Sequence, residues 1–383
     1  MKFIPYGRQT ISEADIHNVI EVLKSDWLTQ GPAIEHFEQA VAKYCGATHG
    51  VAVMNATCAL HLACLALKVG AGDRVWTSPN TFLASANCAR YCGANIDFVD
   101  ICAKTYNMSV AALEEKLKKA KQANKLPKVV IPVHFAGQSC DMRGIKKLAD
   151  KYGFKIIEDA SHAIGGRYLN EPIGNCRYSD ITIFSFHPVK IMTTGEGGLA
   201  LTHDKKLADQ MRLLRSHGMT RDEALMTHPS QGGWYHEQVD LGFNYRITDI
   251  QCALGLSQLK RVDEFVKKRH ELAAIYTQNL KDLPLVLPYQ DPHTYSAFHL
   301  YVIQTTARKR VFDYLKNANI GVNVHYIPVH LQPYYRQLGF KERDFPVAEA
   351  YYHQAITLPL YTGLSLAEQD YVVTKLQEGL ECV

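Results

Sequence analysis

The chain has 383 residues, 47% hydrophobic and 21% charged, which is room for more than one core and the balance of a soluble globular enzyme. Its formal net charge of +4 is thinly spread, and the densest basic runs, 116–125 and 260–269, have helical spacing and acidic neighbours, which argues against nucleic-acid binding. No apolar run approaches the roughly 20 residues of a membrane span, and the start MKFIPYGRQT has no signal-peptide core, so a cytoplasmic protein is expected.

Ser12-Glu13-Ala14-Asp15 reads as a capping box opening a helix with Ile16, Val19, Ile20 and Leu23 on one face. The loop Trp27-Leu28-Thr29-Gln30-Gly31-Pro32 follows, its Gly-Pro a turn marker and its Trp either an ordinary exposed residue or a binding one. A helix over 34–44 ends at Gly46, and 51–54 reads as a buried strand. Then Asn55-Ala56-Thr57-Cys58 turns into an Ala/Leu-rich helix over 59–69. Such a junction aims free N–H groups at one spot and suits a phosphate; the plain alternative is Thr57 as N-cap.

From residue 74 strands and helices alternate. Strands are expected at 74–77, 96–99, 129–133 and 155–157, with helices ending at Tyr91 and spanning 110–123 and 142–152. These strands are apolar rather than alternating, which argues a mainly parallel sheet covered on both faces. In such sheets ligands collect beyond the carboxyl ends of strands. Two more buried strands, 181–186 and 199–201, flank a segment holding Ser185, His187, Pro188, Lys190, Thr193, Thr194 and three glycines. Lys190 is there either a solvated charge or a working amine, and the loop's glycines and threonines would give it space and hydrogen bonds around a bound ring. No G-x-G-x-x-G follows the first strand and no G-x-x-x-x-G-K-[ST] occurs, so Rossmann dinucleotide binding and P-loop hydrolysis lack their fingerprints.

A helix at 205–215 and a polar stretch over 220–238 precede one long helical pattern from 248 to about 280. Beyond it come a strand at 300–304 and helices at 309–317, 346–355 and 366–380. The boundary is placed near 260, giving a large domain 1–259 and a small one 260–383. The 10 cysteines lie mostly in apolar patterns, and only Cys88 and Cys92 are close, so reduced thiols and no metal site are expected.

Thr57 at a helix start, Phe82, Asp159 with His162, Ser185 and Lys190 all fall at strand ends. Each has an ordinary reading alone. Together they are what pyridoxal 5'-phosphate requires: an amine for its aldehyde, a carboxylate for its ring nitrogen, donors for its phosphate and an apolar plate.

The combination of 28–32, Asn55-Ala56-Thr57, 78–82, Glu158-Asp159-Ala160-Ser161-His162-Ala163, 184–198, 242–246, His325-Tyr326 and Leu358-Pro359-Leu360 resembles the DegT/StrS-type sugar aminotransferases, a branch of the fold-type I pyridoxal-phosphate enzymes. The resemblance implies a large α/β domain with a mainly parallel, mixed seven-stranded sheet covered by helices, and a smaller α/β C-terminal domain. It implies Lys190 as the lysine on the cofactor's aldehyde and Asp159 as partner of the ring nitrogen. His162 stands where the family has Gln or His near the phenolic oxygen, and Phe82 would stack on the ring. Ala56, Thr57 and Ser185 would bind the phosphate with Asn244 of a neighbouring subunit, which implies a homodimer with shared sites. Tyr6, Asp26, Trp27, Leu28, Thr29, His325 and Tyr326 would contact substrate.

Within the family, Phe135-Ala136-Gly137, Phe184-Ser185-Phe186-His187 and Arg215-Ser216-His217-Gly218-Met219 resemble the C4 aminotransferases of pseudaminic acid biosynthesis. That implies a UDP-linked 4-keto-6-deoxy-N-acetyl hexose as acceptor and L-glutamate as donor. Enzymes of the GDP-perosamine and 4-amino-arabinose types share most of these motifs. Relatives that remove a sugar hydroxyl have histidine at the lysine position, which here is Lys190. A non-catalytic sensor is disfavoured because no recognition module is appended.

Overall fold

The computed structural model describes residues 2–381. In chain order the strands are β1 (His49–Val53), β2 (Arg74–Thr77), β3 (Asn95–Phe98), β4 (Val129–Ile131) and β5 (Lys155–Asp159), then the short β6 (Arg167–Tyr168) and β7 (Glu171–Pro172), then β8 (Ile181–Ser185) and β9 (Gly198–Thr202). Seven of them form one sheet in the order β1-β9-β8-β5-β4-β2-β3. β8, β5, β4, β2 and β3 pair in parallel, and β9 alone runs against its neighbours. This is the mixed, mainly parallel seven-stranded α/β sheet that was expected.

Period-two geometry sends alternate strand residues to opposite faces. Ile181 and Ile183 pack with Ala59, Ala63 and Ile157 on one side, while Phe184 and Leu199 pack with Phe37 and Val41 on the other. Both faces are therefore apolar, and β8 and β9 are buried along their whole length. β6 and β7 join Thr294–Tyr295 in a three-stranded sheet, of strands too short to show a periodic signal.

The single helix expected over 248–280 is two. Asp249–Leu259 opens on a Thr248/Gln251 capping box, and Val262–Leu280 starts after Arg261, which leaves helical geometry and directs its guanidinium onto buried Asp15. Val262–Leu280 contributes Phe265 and Val266 to the sheet-side core, and Leu272, Tyr276 and Leu280 to a separate core around the antiparallel pair Tyr301–Gln304 and Ala355–Leu358. We propose that the large and small domains divide at the break near residue 260.

The Ser12/Asp15 capping box forms as expected on Glu13–Leu23. The apolar face of that helix is not covered by its own chain: Ile16, Ile20 and Leu23 are 44%, 38% and 53% exposed. No helix among the described residues is long and apolar enough to cross a membrane.

Candidate active site

The loop from Phe186 to Gly197 is folded on itself. The Phe186 N–H donates to Gly197 O at 2.9 Å, and Thr194 N–H and Thr193 Oγ1 both donate to Phe186 O, at 3.1 and 2.9 Å. Thr194 Oγ1 donates to Glu196 O at 2.6 Å. Both threonines are buried and brace the loop itself, so they do not surround a ligand as the sequence suggested. Gly198 then lets β9 meet the next element. A Cβ there would lie 2.4 Å from the Asn55 carbonyl carbon and 2.5 Å from Ala56 N.

That next element, Ala56–Ala66, starts three residues earlier than the pattern predicted. Its N-cap is Asn55, whose side chain accepts from Cys58 N–H at 2.9 Å, so Thr57 is not the cap. The N–H groups of Ala56 and Thr57 are at the first turn, where the helix dipole favours an anion.

A cavity of about 630 Å³ lies at the carboxyl ends of β5 and β8. Ten of the sequence-predicted residues line it: Tyr6, Ala56, Thr57, Phe82, Asp159, His162, Ser185, Lys190, His325 and Tyr326. Asp159 ends β5. Its Oδ1 accepts from Ser161 N–H at 3.1 Å and Ser161 Oγ at 2.5 Å, and its Oδ2 from Ser85 Oγ at 2.6 Å. His162 Nδ1 accepts from Ala136 N–H at 3.2 Å, so its proton sits on Nε2, 3.1 Å from the Tyr326 hydroxyl.

Burial sets the electrostatics. It pushes Lys190 down to about 8, against the opposing pull of the Asp159 charge. It also holds His162 and His299 well below the usual imidazole range and takes His325 to about 3, with the Lys190 charge adding to each. The same burial raises Tyr326. The site thus keeps three neutral imidazoles beside one amine of lowered basicity.

Ser85, Ser161, His299 and Asn323 were missed from the sequence. Ser161 stood in the quoted motif two residues after Asp159, which was a usable signal. Ser85 is hidden in an Ala-rich helix, and His299 and Asn323 enter the cavity only through the fold of the second core.

Asn244 and 26–29 are not in this chain's own cavity. Asn244 is exposed and bridged to Ser216. Thr29 is bridged to Thr248, and Asp249 N–H donates to Leu28 O at 3.1 Å, which leaves Asp26, Trp27, Leu28 and Thr29 on the surface. A second cavity of about 530 Å³ is lined by Arg212 and Arg215, whose guanidinium groups are engaged by Glu38, Gly50 O and Ala52 O.

The donor set of the first cavity fits pyridoxal phosphate: a lysine of lowered basicity, a hydrogen-bonded carboxylate, a helix start and exposed Phe82. The model of the DegT/DnrJ/EryC1/StrS aminotransferase family matches residues 9–377. The chain is 40% identical to the spore coat polysaccharide biosynthesis protein SpsC of Bacillus subtilis, covering 98% of this chain and 97% of that protein. It is 35% identical to a UDP-4-amino-4,6-dideoxy-N-acetyl-beta-L-altrosamine transaminase of Campylobacter jejuni, covering 99% and 98%. Among solved structures it resembles Helicobacter pylori PseC, an aminotransferase involved in the biosynthesis of pseudoaminic acid, with a TM-score of 0.91 at 31% identity over 100% of both chains. It also resembles the PLP-form of Streptococcus pneumoniae Spr1654, with a TM-score of 0.89 at 30% identity over 99% of each. The chain belongs to the DegT/DnrJ/EryC1/StrS aminotransferase family and is a pyridoxal-phosphate-dependent sugar aminotransferase.

Proposed function

We propose that this enzyme moves the amino group of L-glutamate to C4 of a UDP-linked 4-keto-6-deoxy-N-acetyl hexose, as in pseudaminic acid biosynthesis, and works as a homodimer. The observation that carries the chemistry is the meeting of Lys190, Asp159 and the Ala56 helix start in one cavity. The choice of sugar is supported by the Campylobacter relative. Pyridoxal phosphate, when bound, supplies a sink for the electrons released at the carbon that bears nitrogen.

The chain's residues do the rest. Lys190 Nζ, with its basicity lowered toward neutral pH, takes and returns the proton at that carbon. Asp159 would accept from the protonated ring nitrogen. The Ala56 and Thr57 N–H groups and the Ser185 hydroxyl would hold the phosphate. Phe82 would provide an apolar plate for the ring, and His162 Nε2–H would be a donor for the phenolic oxygen. Tyr6, His325 and Tyr326 border the space left for sugar. Asn244 and Asp26, Trp27, Leu28 and Thr29, outside their own chain's cavity, act in the partner's, and the open apolar face of Glu13–Leu23 supports such pairing. The nine cysteines among the described residues are all free thiols, which suits a reducing cytoplasm.

The test is transamination from L-glutamate over a panel of UDP-, GDP- and dTDP-4-keto sugars. Amino-sugar formation from the UDP-N-acetyl substrate alone is expected; turnover of only a GDP-sugar would reassign the branch. Lys190→Ala should abolish turnover with every sugar.

A further inference from the structure

Two hydroxyls beside Asp159 carry none of these roles: Ser85, and Thr81 at the cavity wall. Ser85, fully buried on the helix Ala84–Tyr91, donates to Asp159 Oδ2 at 2.6 Å. Buried Thr81 lies with its Oγ1 2.7 Å from Ser85 Oγ. A carboxylate can only accept, so the Ser85 proton is committed to Asp159 and Thr81 must donate in the second bond. The row has one polarity, from Thr81 to Ser85 to Asp159.

The two carboxylate oxygens are not equivalent. Each accommodates about two donors. Oδ1 has two, both from Ser161, whereas Oδ2 has the Ser85 hydroxyl alone. One accepting position remains, and it is on Oδ2.

We propose that Ser85, backed by Thr81, is a positioning residue that presents Oδ2 of Asp159, and not Oδ1, to the ring nitrogen of the cofactor. This rests on Asp159 being the ring-nitrogen partner. The Ser85 hydroxyl holds Oδ2 in place, and the bond that Ser85 receives from Thr81 polarises that hydroxyl. The Cys88 thiol donates to Ser85 O at 3.4 Å and helps to hold this turn in place. Without the Ser85 hydroxyl, Oδ2 has two open positions and the carboxylate can turn or bind water.

The apo protein is titrated with pyridoxal phosphate, and fluorescence quenching reads the dissociation constant. Ser85→Ala should weaken binding about tenfold, Thr81→Val about threefold, and Ser85→Thr, which keeps the hydroxyl, less than twofold. In an Asp159→Ala background the Ser85→Ala change should add less than twofold, because its partner is gone. Unchanged binding in Ser85→Ala beside weakened binding in Asp159→Ala overturns this inference and leaves the role of Asp159 standing. Unchanged binding in Asp159→Ala overturns that role and this inference together. A loss of equal size in both backgrounds would mean general disruption of the helix and also overturns it. Should Ser85→Ala fail to fold, Thr81→Val decides by the same comparison.

Discussion

His162 Nε2 and the Tyr326 hydroxyl lie 3.1 Å apart although 164 positions separate them in the chain. The Ala136 N–H occupies Nδ1, so the proton is held on Nε2, facing the cavity. Burial and the charge of Lys190 keep the ring neutral. A donor that cannot titrate near neutral pH behaves like an amide. His162→Gln should therefore retain kcat/KM within about tenfold, and His162→Leu should lose about a hundredfold. The pH–rate profile of His162→Gln should superimpose on that of the wild type; a shifted acid limb would show that His162 titrates in the reaction.

Lys190 makes stability depend on pH in the apo protein. Its basicity falls to about 8 on folding, from 10.5 in the unfolded chain, because burial disfavours the ammonium. Below pH 8 the amine is charged in both states and the full cost is present. Between 8 and 10.5 the unfolded chain binds more protons, so stability rises with pH through that window. Lys190→Met should raise the urea midpoint of the apo protein at pH 7, and that gain should shrink by pH 10.5. A gain independent of pH would assign the effect to packing instead.

Gly198 is where β9 touches the chain that begins the Ala56–Ala66 helix. Any Cβ there collides with backbone, which cannot rotate away. Gly198→Ala should cost about 3 kcal/mol of stability and also weaken pyridoxal phosphate binding, since Ala56 must shift. Urea unfolding and cofactor titration read the two effects. Full stability with full cofactor affinity would contradict the contact.

Asn244→Ala and Lys190→Ala subunits, each inactive alone, should recover activity when mixed. A hybrid dimer keeps one site with both residues intact, so random exchange at equal amounts gives about a quarter of wild-type activity. Sedimentation establishes that exchange has occurred. Exchange without recovery would place Asn244 and Lys190 of one subunit in the same site and contradict sharing across the dimer.

The strands and their parallel order were legible because β5, β8 and β9 are buried on both faces and so read as unbroken apolar runs. The break at Arg261 was not, because the partner its guanidinium meets there is Asp15, nearly 250 positions earlier. The start of Ala56–Ala66 was read late because Ala56 and Thr57 carry no apolar period, although Asn55 was a strong cap.

By itself the sequence determined the chemical types at the strand ends: a lysine, a carboxylate, a hydroxyl-rich helix start and an aromatic residue. Those types follow from local pattern, and pattern is carried by neighbours in the chain. Only the tertiary structure decided which of them share a space. It put Lys190 in a low-dielectric wall that lowers its basicity, and it turned Thr193 and Thr194 into braces of their own loop. It also set Ser85 beside Asp159, so that one carboxylate oxygen is left free. Hydrogen bonds and desolvation act over a few ångströms of space, and the spacing of residues along the chain does not encode those distances.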